Sequence, residues 1–209
     1  MNLPWRKKEG EEKKSGVASL IELVVIVIVA IGLAFAIQAF LIKPYRLPRE
    51  AMEPTLNVGQ RVLVNRIGNS FNDPEIGEIL VFHPPKGSES NTCGAEPKEG
   101  QPCPLPTPTS SDLNFIKRVV AGPGDTLSIQ DGHVILNGKP QEEKFIRPCD
   151  SGEECTFPVP ITIPPGHWFM MGDNRGQSDD SRFWGPVPKK WIIGGAFATY
   201  WPPDRINLF

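Results

Sequence analysis

Apolar and polar positions divide the chain into one long apolar run and a following region of short, turn-bounded segments. The long run covers Leu23 to Ile42, and Gln38 is its only strongly polar member. A helix rises about 1.5 Å per residue, so a run of this length spans roughly 30 Å, the thickness of a bilayer's hydrocarbon core. The pattern predicts a transmembrane anchor over residues 17–43, with a polar tail over residues 1–16.

Basic residues are frequent in the tail, which favours a cytoplasmic N-terminus and an extracytoplasmic region over residues 44–209. A cleavable signal peptide is the alternative interpretation. Its apolar core usually has about 7–15 residues, fewer than are present here. Ala36-Ile37-Gln38-Ala39 could mimic a cleavage site, but this segment lies inside the run. We therefore expect an uncleaved single-pass anchor in the inner or plasma membrane.

Beyond residue 43 the apolar segments are short, and the whole chain contains 23 prolines and 20 glycines. These features predict a mainly β region rather than a helical one. Asp131-Gly132 and Asn137-Gly138 are typical of tight two-residue turns between strands. The expected strands are Arg61–Arg66, Glu78–Phe82, Asn114–Val120, Thr126–Gln130, His133–Leu136, Ile161–Ile163, Trp168–Met171 and Ala196–Trp201.

The four cysteines lie in the region that is expected outside the cytoplasm, where disulfides form. Local pairing would join Cys93 to Cys103 and Cys149 to Cys155. Free thiols are an alternative, and a zinc site is a weaker one because there is no Cys-x-x-Cys motif. Residues 86–112, which contain the first pair, are polar and rich in proline. We expect them to form a surface excursion without chemistry.

Lys117 is the candidate general base. Strict alternation along its strand places Phe115, Lys117 and Val119 on one face. Burial on an apolar face lowers the pKa of a lysine, so that its neutral amine can accept a proton near neutral pH. The alternative is a lysine whose stem lies on the strand while its amine reaches solvent.

The segment from Gly172 to Arg182 is dense in Asp, Asn, Ser and Arg. A calcium loop is one interpretation, but Arg175 and Gln177 interrupt the ligand pattern and no closing glutamate follows. No metal and no cofactor is therefore expected. The net charge of −2 gives no sign of nucleic-acid binding. His83, His133 and His167 are expected to be surface or satisfied residues rather than bases.

Three segments behind the apolar run resemble bacterial signal peptidase I, and they occur in that family's order: Pro48–Leu56, Phe115–Val120 and Gly172–Arg182. The family consists of membrane-anchored Ser/Lys proteases that remove signal peptides. The resemblance implies one transmembrane helix and an antiparallel β ectodomain, with a small β subdomain inserted at about residues 131–165. It implies signal peptides of exported preproteins and membrane lipid as partners. We expect a monomer.

The resemblance also assigns roles to individual residues. Ala51 occupies the position of the nucleophilic serine, Lys117 matches the general base, and Ser178 matches the hydroxyl that orients the base. Arg49 departs from the small or hydroxyl residue that the family usually has there, which in some members helps to bind the oxyanion. The remaining matches are Asp173, Arg175, Asp180 and Arg182 as supporting residues, and Arg49, Glu50, Met52 and Pro54 in the oxyanion and substrate groove.

The side chain of Ala51 has no oxygen, so the covalent path of the family is closed in this chain as written. Three hypotheses follow from the sequence. The chain is a signal peptidase I sequence with a Ser→Ala change, or a natural inactive homologue that binds signal peptides without cutting them. The third hypothesis is an unrelated membrane-tethered β domain.

Overall fold

A computed structural model describes residues 16–150 and 155–209, and it forms two compact units that divide between Phe40 and Leu41. The first unit contains helix α1, Gly16–Phe40, of 25 residues. Among the described residues, no helix is both long enough and apolar enough to cross a membrane. The anchor over residues 17–43 stays a prediction, and the tail predicted over residues 1–16 lies outside the described residues except for Gly16.

The second unit is mainly β, and all of its named strands pair antiparallel, which confirms the mainly β, antiparallel part of the expected fold class. Its larger sheet has eight strands: β1 Ile42–Arg46, β2 Arg61–Asn65, β3 Ile79–Phe82, β4 Phe115–Ala121, β9 His167–Met171, β10 Val187–Pro188, β11 Ile192–Trp201 and β12 Asn207–Leu208. They are arranged in the order β1-β2-β11-β3-β4-β9-β10, and β12 pairs with β11.

The smaller sheet has four strands in the order β7-β6-β5-β8. They are β5 Thr126–Gln130, β6 His133–Leu136, β7 Lys139–Pro140 and β8 Phe157–Thr162. Asp131 and Gly132 both have positive φ, +50° and +82°, as a tight hairpin turn between twisted strands requires. The smaller sheet thus begins at Thr126, a few residues before the predicted start of the inserted subdomain at about residue 131.

Two short helices and several 3₁₀ turns complete the second unit. Helix α2 covers Gly68–Phe71 and α3 covers Ser181–Trp184, while Lys189–Trp191 forms a 3₁₀ turn. Both predicted disulfides are confirmed, since Cys93 bonds Cys103 and Cys149 bonds Cys155. Strand β1 was not expected. Its first residue, Ile42, had been assigned to the apolar run, but α1 ends at Phe40 and Ile42 pairs with Asn65 of β2.

Strand β4 lies inside the larger sheet, between β3 and β9, and both of its faces pack on apolar cores. Val119 belongs to a cluster with Leu80, Met170 and Trp184, whereas Val120 packs with the smaller sheet's core. Pairing on both edges fixes the register of β4, and register decides which face each side chain occupies. The fold therefore sets the direction of the candidate base, Lys117.

Candidate active site

Lys117 is buried in the middle of β4, with 4% of its surface exposed. Its Nζ donates a hydrogen bond of 2.6 Å to Oγ of Ser178. Burial strips water from the ammonium and lowers the pKa of Lys117 from 10.5 to about 8, although the Asp180 carboxylate acts in the opposite direction. The alternative of a lysine whose amine reaches solvent is therefore wrong. A lysine in this state supplies a substantial neutral fraction near physiological pH.

Asp180 and Arg182 form a buried ion pair behind this lysine. Oδ1 of Asp180 accepts from Nε of Arg182 at 2.7 Å, and Asp180 also caps helix α3 by accepting from the Arg182 N–H. Burial by itself raises the pKa of the Asp180 carboxyl, but the adjacent Arg182 guanidinium outweighs it and the pKa is lowered overall. Nη2 of Arg182 donates a hydrogen bond of 3.0 Å to the Ser178 carbonyl. The pair thus positions the residue that contacts the base.

Asp173 and Arg175 do not pair with each other. Asp173 is fully buried and accepts two hydrogen bonds from Arg118, at 2.8 and 2.6 Å, and one from the Thr55 hydroxyl at 2.5 Å. The Arg118 guanidinium also stacks on the Phe145 ring at 4.0 Å. Arg118 was not singled out in the sequence, although it follows Lys117 directly and faces the opposite side of β4. Asp173 of the third segment thus joins strand β4, through Arg118, to the turn that follows Ala51, through Thr55.

Arg175 instead binds the region of the smaller sheet. Its guanidinium donates to Glu143 at 2.6 Å and to the Gly132 carbonyl, and its Nε donates to the Gly172 carbonyl at 3.0 Å. Arg175 is 1% exposed, so these partners satisfy a buried charge. Nothing local in the sequence marks Glu143 as the partner. The interaction ties the smaller sheet to the loop that carries the site.

The turn around Ala51 is held by its backbone. The Asn174 N–H donates to the Ala51 carbonyl at 3.1 Å, and the Asn174 side chain donates to the Glu50 carbonyl at 3.3 Å. A Cβ at Gly172 would lie 2.4 Å from the Ala51 carbonyl and 2.3 Å from Oγ of Ser178, so only glycine fits at this crossing. In the part of the chain that the structure describes, no group accepts from the Ala51 N–H, which leaves it available as an oxyanion donor.

The four residues predicted for the groove flank Ala51, and of these Arg49 and Met52 line the cleft that contains Lys117. Arg49, Glu50 and Pro54 are exposed, whereas Met52 is 1% exposed and packs in the apolar core beneath the turn. Ala51 and Lys117 line one cleft of about 180 Å³. Arg49, Met52, Phe115, Gln177 and Asp179 are among the other residues that line it.

This cleft therefore contains Ala51, whose N–H has no acceptor among the described residues, and a buried lysine of lowered pKa. A model of the family "Signal peptidase, peptidase S26" matches residues 20–201 of the chain. The chain belongs to this family. Among its relatives, a signal peptidase I of Leptolyngbya laminosa is 36% identical over 178 residues, which cover 85% of this chain and 78% of that protein.

Two further relatives of the S26 family span a similar share of the chain. The Synechocystis protein named "Probable signal peptidase I-1" is 34% identical over 187 residues, which cover 88% of this chain and 84% of that protein. A signal peptidase I of Mycobacterium tuberculosis is 29% identical over 229 residues, which cover 95% of this chain and 78% of that protein. The resemblance inferred from the three sequence segments is confirmed at the level of the family.

Proposed function

We propose that the chain is a signal peptidase I-type membrane serine endopeptidase whose nucleophile position is occupied by Ala51, so that it does not cleave as written. The observation that supports this most strongly is the shared cleft of Ala51 and Lys117, in which the buried lysine contacts Ser178. The substrates would be signal peptides of exported preproteins. No metal or cofactor takes part in the proposed reaction.

The proposed reaction needs one added oxygen atom. In an Ala51→Ser variant, the serine Oγ would attack the carbonyl carbon of the scissile peptide bond while neutral Lys117 accepts the hydroxyl proton. The Ala51 backbone N–H, conserved in such a variant, would stabilise the oxyanion. Lys117 would return the proton to the leaving amine, and water would release the acyl group. Without the oxygen, turnover falls by a factor on the order of 10⁶.

Peptide binding does not depend on the missing oxygen. The turn at Ala51 is held by backbone hydrogen bonds, and the supporting charges Asp180, Arg182, Asp173 and Arg118 are all paired. An extended signal peptide would lie in the cleft and pair with backbone groups as an added strand. The chain as written would thus bind signal peptides without cutting them.

The location proposed for the protein is the inner or plasma membrane, with a cytoplasmic N-terminus and the β unit outside the cytoplasm. The two disulfides support the extracytoplasmic part, because disulfides persist in oxidising compartments. The basic residues before the apolar run support the orientation.

The test is cleavage of a preprotein in detergent by three forms: the chain as written, Ala51→Ser, and Ala51→Ser combined with Lys117→Ala. Only Ala51→Ser should cleave, and its kcat/KM should rise with pH to a plateau above about pH 8, because only the neutral form of Lys117 accepts a proton. Strong cleavage by the chain as written would place the nucleophile elsewhere.

A second candidate function is that of a natural homologue that binds signal peptides without cleaving them, and Ala51 itself favours it. The same three-way assay separates the two. If Ala51→Ser folds and binds a signal peptide but stays inert, other parts of the catalytic geometry have also been lost, and the binding function gains support.

A further inference from the structure

The excursion over residues 86–112 joins β3 to β4 and is closed at its base. Pro85 forms a β-bridge with Ser110. The Lys86 N–H donates to the Thr109 carbonyl and the Ser111 N–H donates to the Pro84 carbonyl, each at 2.8 Å. The excursion is therefore a folded element with fixed ends.

Two contacts hold the excursion against the third active-site segment. The Cys103 N–H donates to the Arg182 carbonyl at 2.9 Å, and the Asn91 amide donates to Oδ1 of Asp179 at 3.2 Å. Cys103 is 2% exposed and is bonded to Cys93, so the disulfide joins the anchored part of the excursion to the part that precedes it. The excursion therefore contacts the third active-site segment at Asn91 and Cys103.

Glu89 is the charged residue of the excursion that reaches the cleft. It lies in a 3₁₀ turn, Ser88–Ser90, that is fixed by the buried Ser88, which is 1% exposed. Glu89 lines the cleft together with Ala51 and Lys117. Its carboxylate is exposed and, within the described ranges, forms no ion pair. A carboxylate held in this way at a peptide-binding cleft has a free charge to offer to a bound chain.

We propose that Glu89 is a specificity-determining residue that favours substrate peptides with a lysine or arginine at one position of the segment bound in the cleft. This inference rests on the proposed function, in which the cleft binds an extended peptide. Asp179, on the same cleft and contacted by Asn91, adds charge of the same sign. Arg49 also lines the cleft, but among the described residues it forms no ion pair with Glu89, so the Glu89 carboxylate is not neutralised by a direct contact.

The size of the preference follows from the exposure of Glu89. An ion pair between solvent-exposed groups adds little to the binding affinity. A pair that is partly enclosed by the wall of a cleft is expected to add more than a fully exposed pair. We expect about a threefold gain in affinity for the correctly placed cation. The gain should shrink as salt is added, because ions screen exposed charges over about 10 Å at 0.1 M.

The experiment measures peptide binding to the full chain as written, in detergent and at low salt, by fluorescence anisotropy. The probes are a labelled neutral signal-peptide segment and a series in which one lysine is moved through its positions. One position should show the gain, and Glu89→Gln should abolish the difference between the lysine peptide and the neutral peptide. Glu96→Gln is the matched control, because it removes an exposed carboxylate from the same excursion outside the cleft, and it should keep the difference.

Two results would count against the inference in different ways. Equal affinities across the series, or a lysine gain that persists in Glu89→Gln, would overturn the role of Glu89 while peptide binding itself stands. A chain that binds none of the peptides would overturn the proposed function, and the role of Glu89 with it.

Discussion

Replacing Lys117 by methionine tests whether the lysine is buried with a lowered pKa, and it needs no substrate. Methionine has a similar length and no charge, so Lys117→Met removes the ionisable group while filling much of the same space. The free energy of unfolding at a single pH would also contain the lost hydrogen bond to Ser178 and altered packing. The hydrogen bond and the packing affect the free energy of unfolding alike at every pH. The pH dependence of the free energy of unfolding is therefore the quantity to measure.

The sign follows from the direction of the pKa shift. The folded pKa of Lys117 is about 8 and its ordinary value is 10.5, so between these values the unfolded chain binds more protons. Stability from this group therefore rises with pH. The lowered pKa of Lys117 costs about 3 kcal/mol of stability at pH 7 and about 2 kcal/mol at pH 9, relative to a lysine with its ordinary pKa in the folded chain. The chain as written should thus gain about 1 kcal/mol from pH 7 to pH 9 that Lys117→Met does not gain.

The assay is urea unfolding of the full chain in non-ionic detergent at both pH values, followed by tryptophan fluorescence. Trp168 and Trp184 are at most 2% exposed and report the loss of the core. Other groups that titrate in this range contribute equally to both proteins and cancel. Lys190→Met is the matched control, since it removes an exposed lysine and should leave the pH dependence unchanged.

Parallel pH dependences for the chain as written and Lys117→Met would refute the reasoning. Lys117 would then titrate alike in the folded and unfolded chain, and it would have no neutral fraction to serve as a base near neutral pH.

Two further predictions concern the supporting charges and the membrane orientation. Asp180→Asn leaves the buried Arg182 guanidinium without its counter-charge, so the free energy of unfolding measured in urea should fall by about 3–5 kcal/mol. Asp179→Asn, at the exposed neighbouring residue, should lower it by less than about 1 kcal/mol. Equal losses in the two variants would contradict the role of the buried pair. Protease added to sealed inverted membrane vesicles should leave residues 44–209 intact, and complete digestion of that region would contradict the proposed topology.

Local signals in the sequence were enough for much of the fold. Asp131-Gly132 predicted the β5–β6 hairpin because the tight turn needs two residues with positive φ, and the structure has both. The sequence did not reveal β1. Ile42 continues the apolar run without a break, and only pairing with β2, a contact between distant residues, shows that it belongs to a strand.

The site shows the same division between local and distant information. Asp180 and Arg182, which the resemblance marked as supporting residues, are two residues apart and form an ion pair. Arg118 pairs with Asp173 across 55 positions, and Arg175 pairs with Glu143 across 32 positions. Such partners are brought together by sheet register and loop closure, and neither leaves a local pattern. The sequence therefore identified the charged residues of the third segment more readily than their partners.

The closed base of the excursion has a consequence for how the protein can diversify. The Pro85–Ser110 bridge lies outside the paired residues of β3 and β4, so a change in length beyond it leaves the alignment of Lys117 with Leu80 untouched. The entropic cost of lengthening a closed loop grows only slowly with its length. Insertions and deletions that leave the Asn91 and Cys103 contacts in place can thus accumulate between the two ends without changing the register of Lys117. Under the proposed role of Glu89, a change confined to its turn would alter the peptide preference of the cleft and leave the strand that carries Lys117 unchanged.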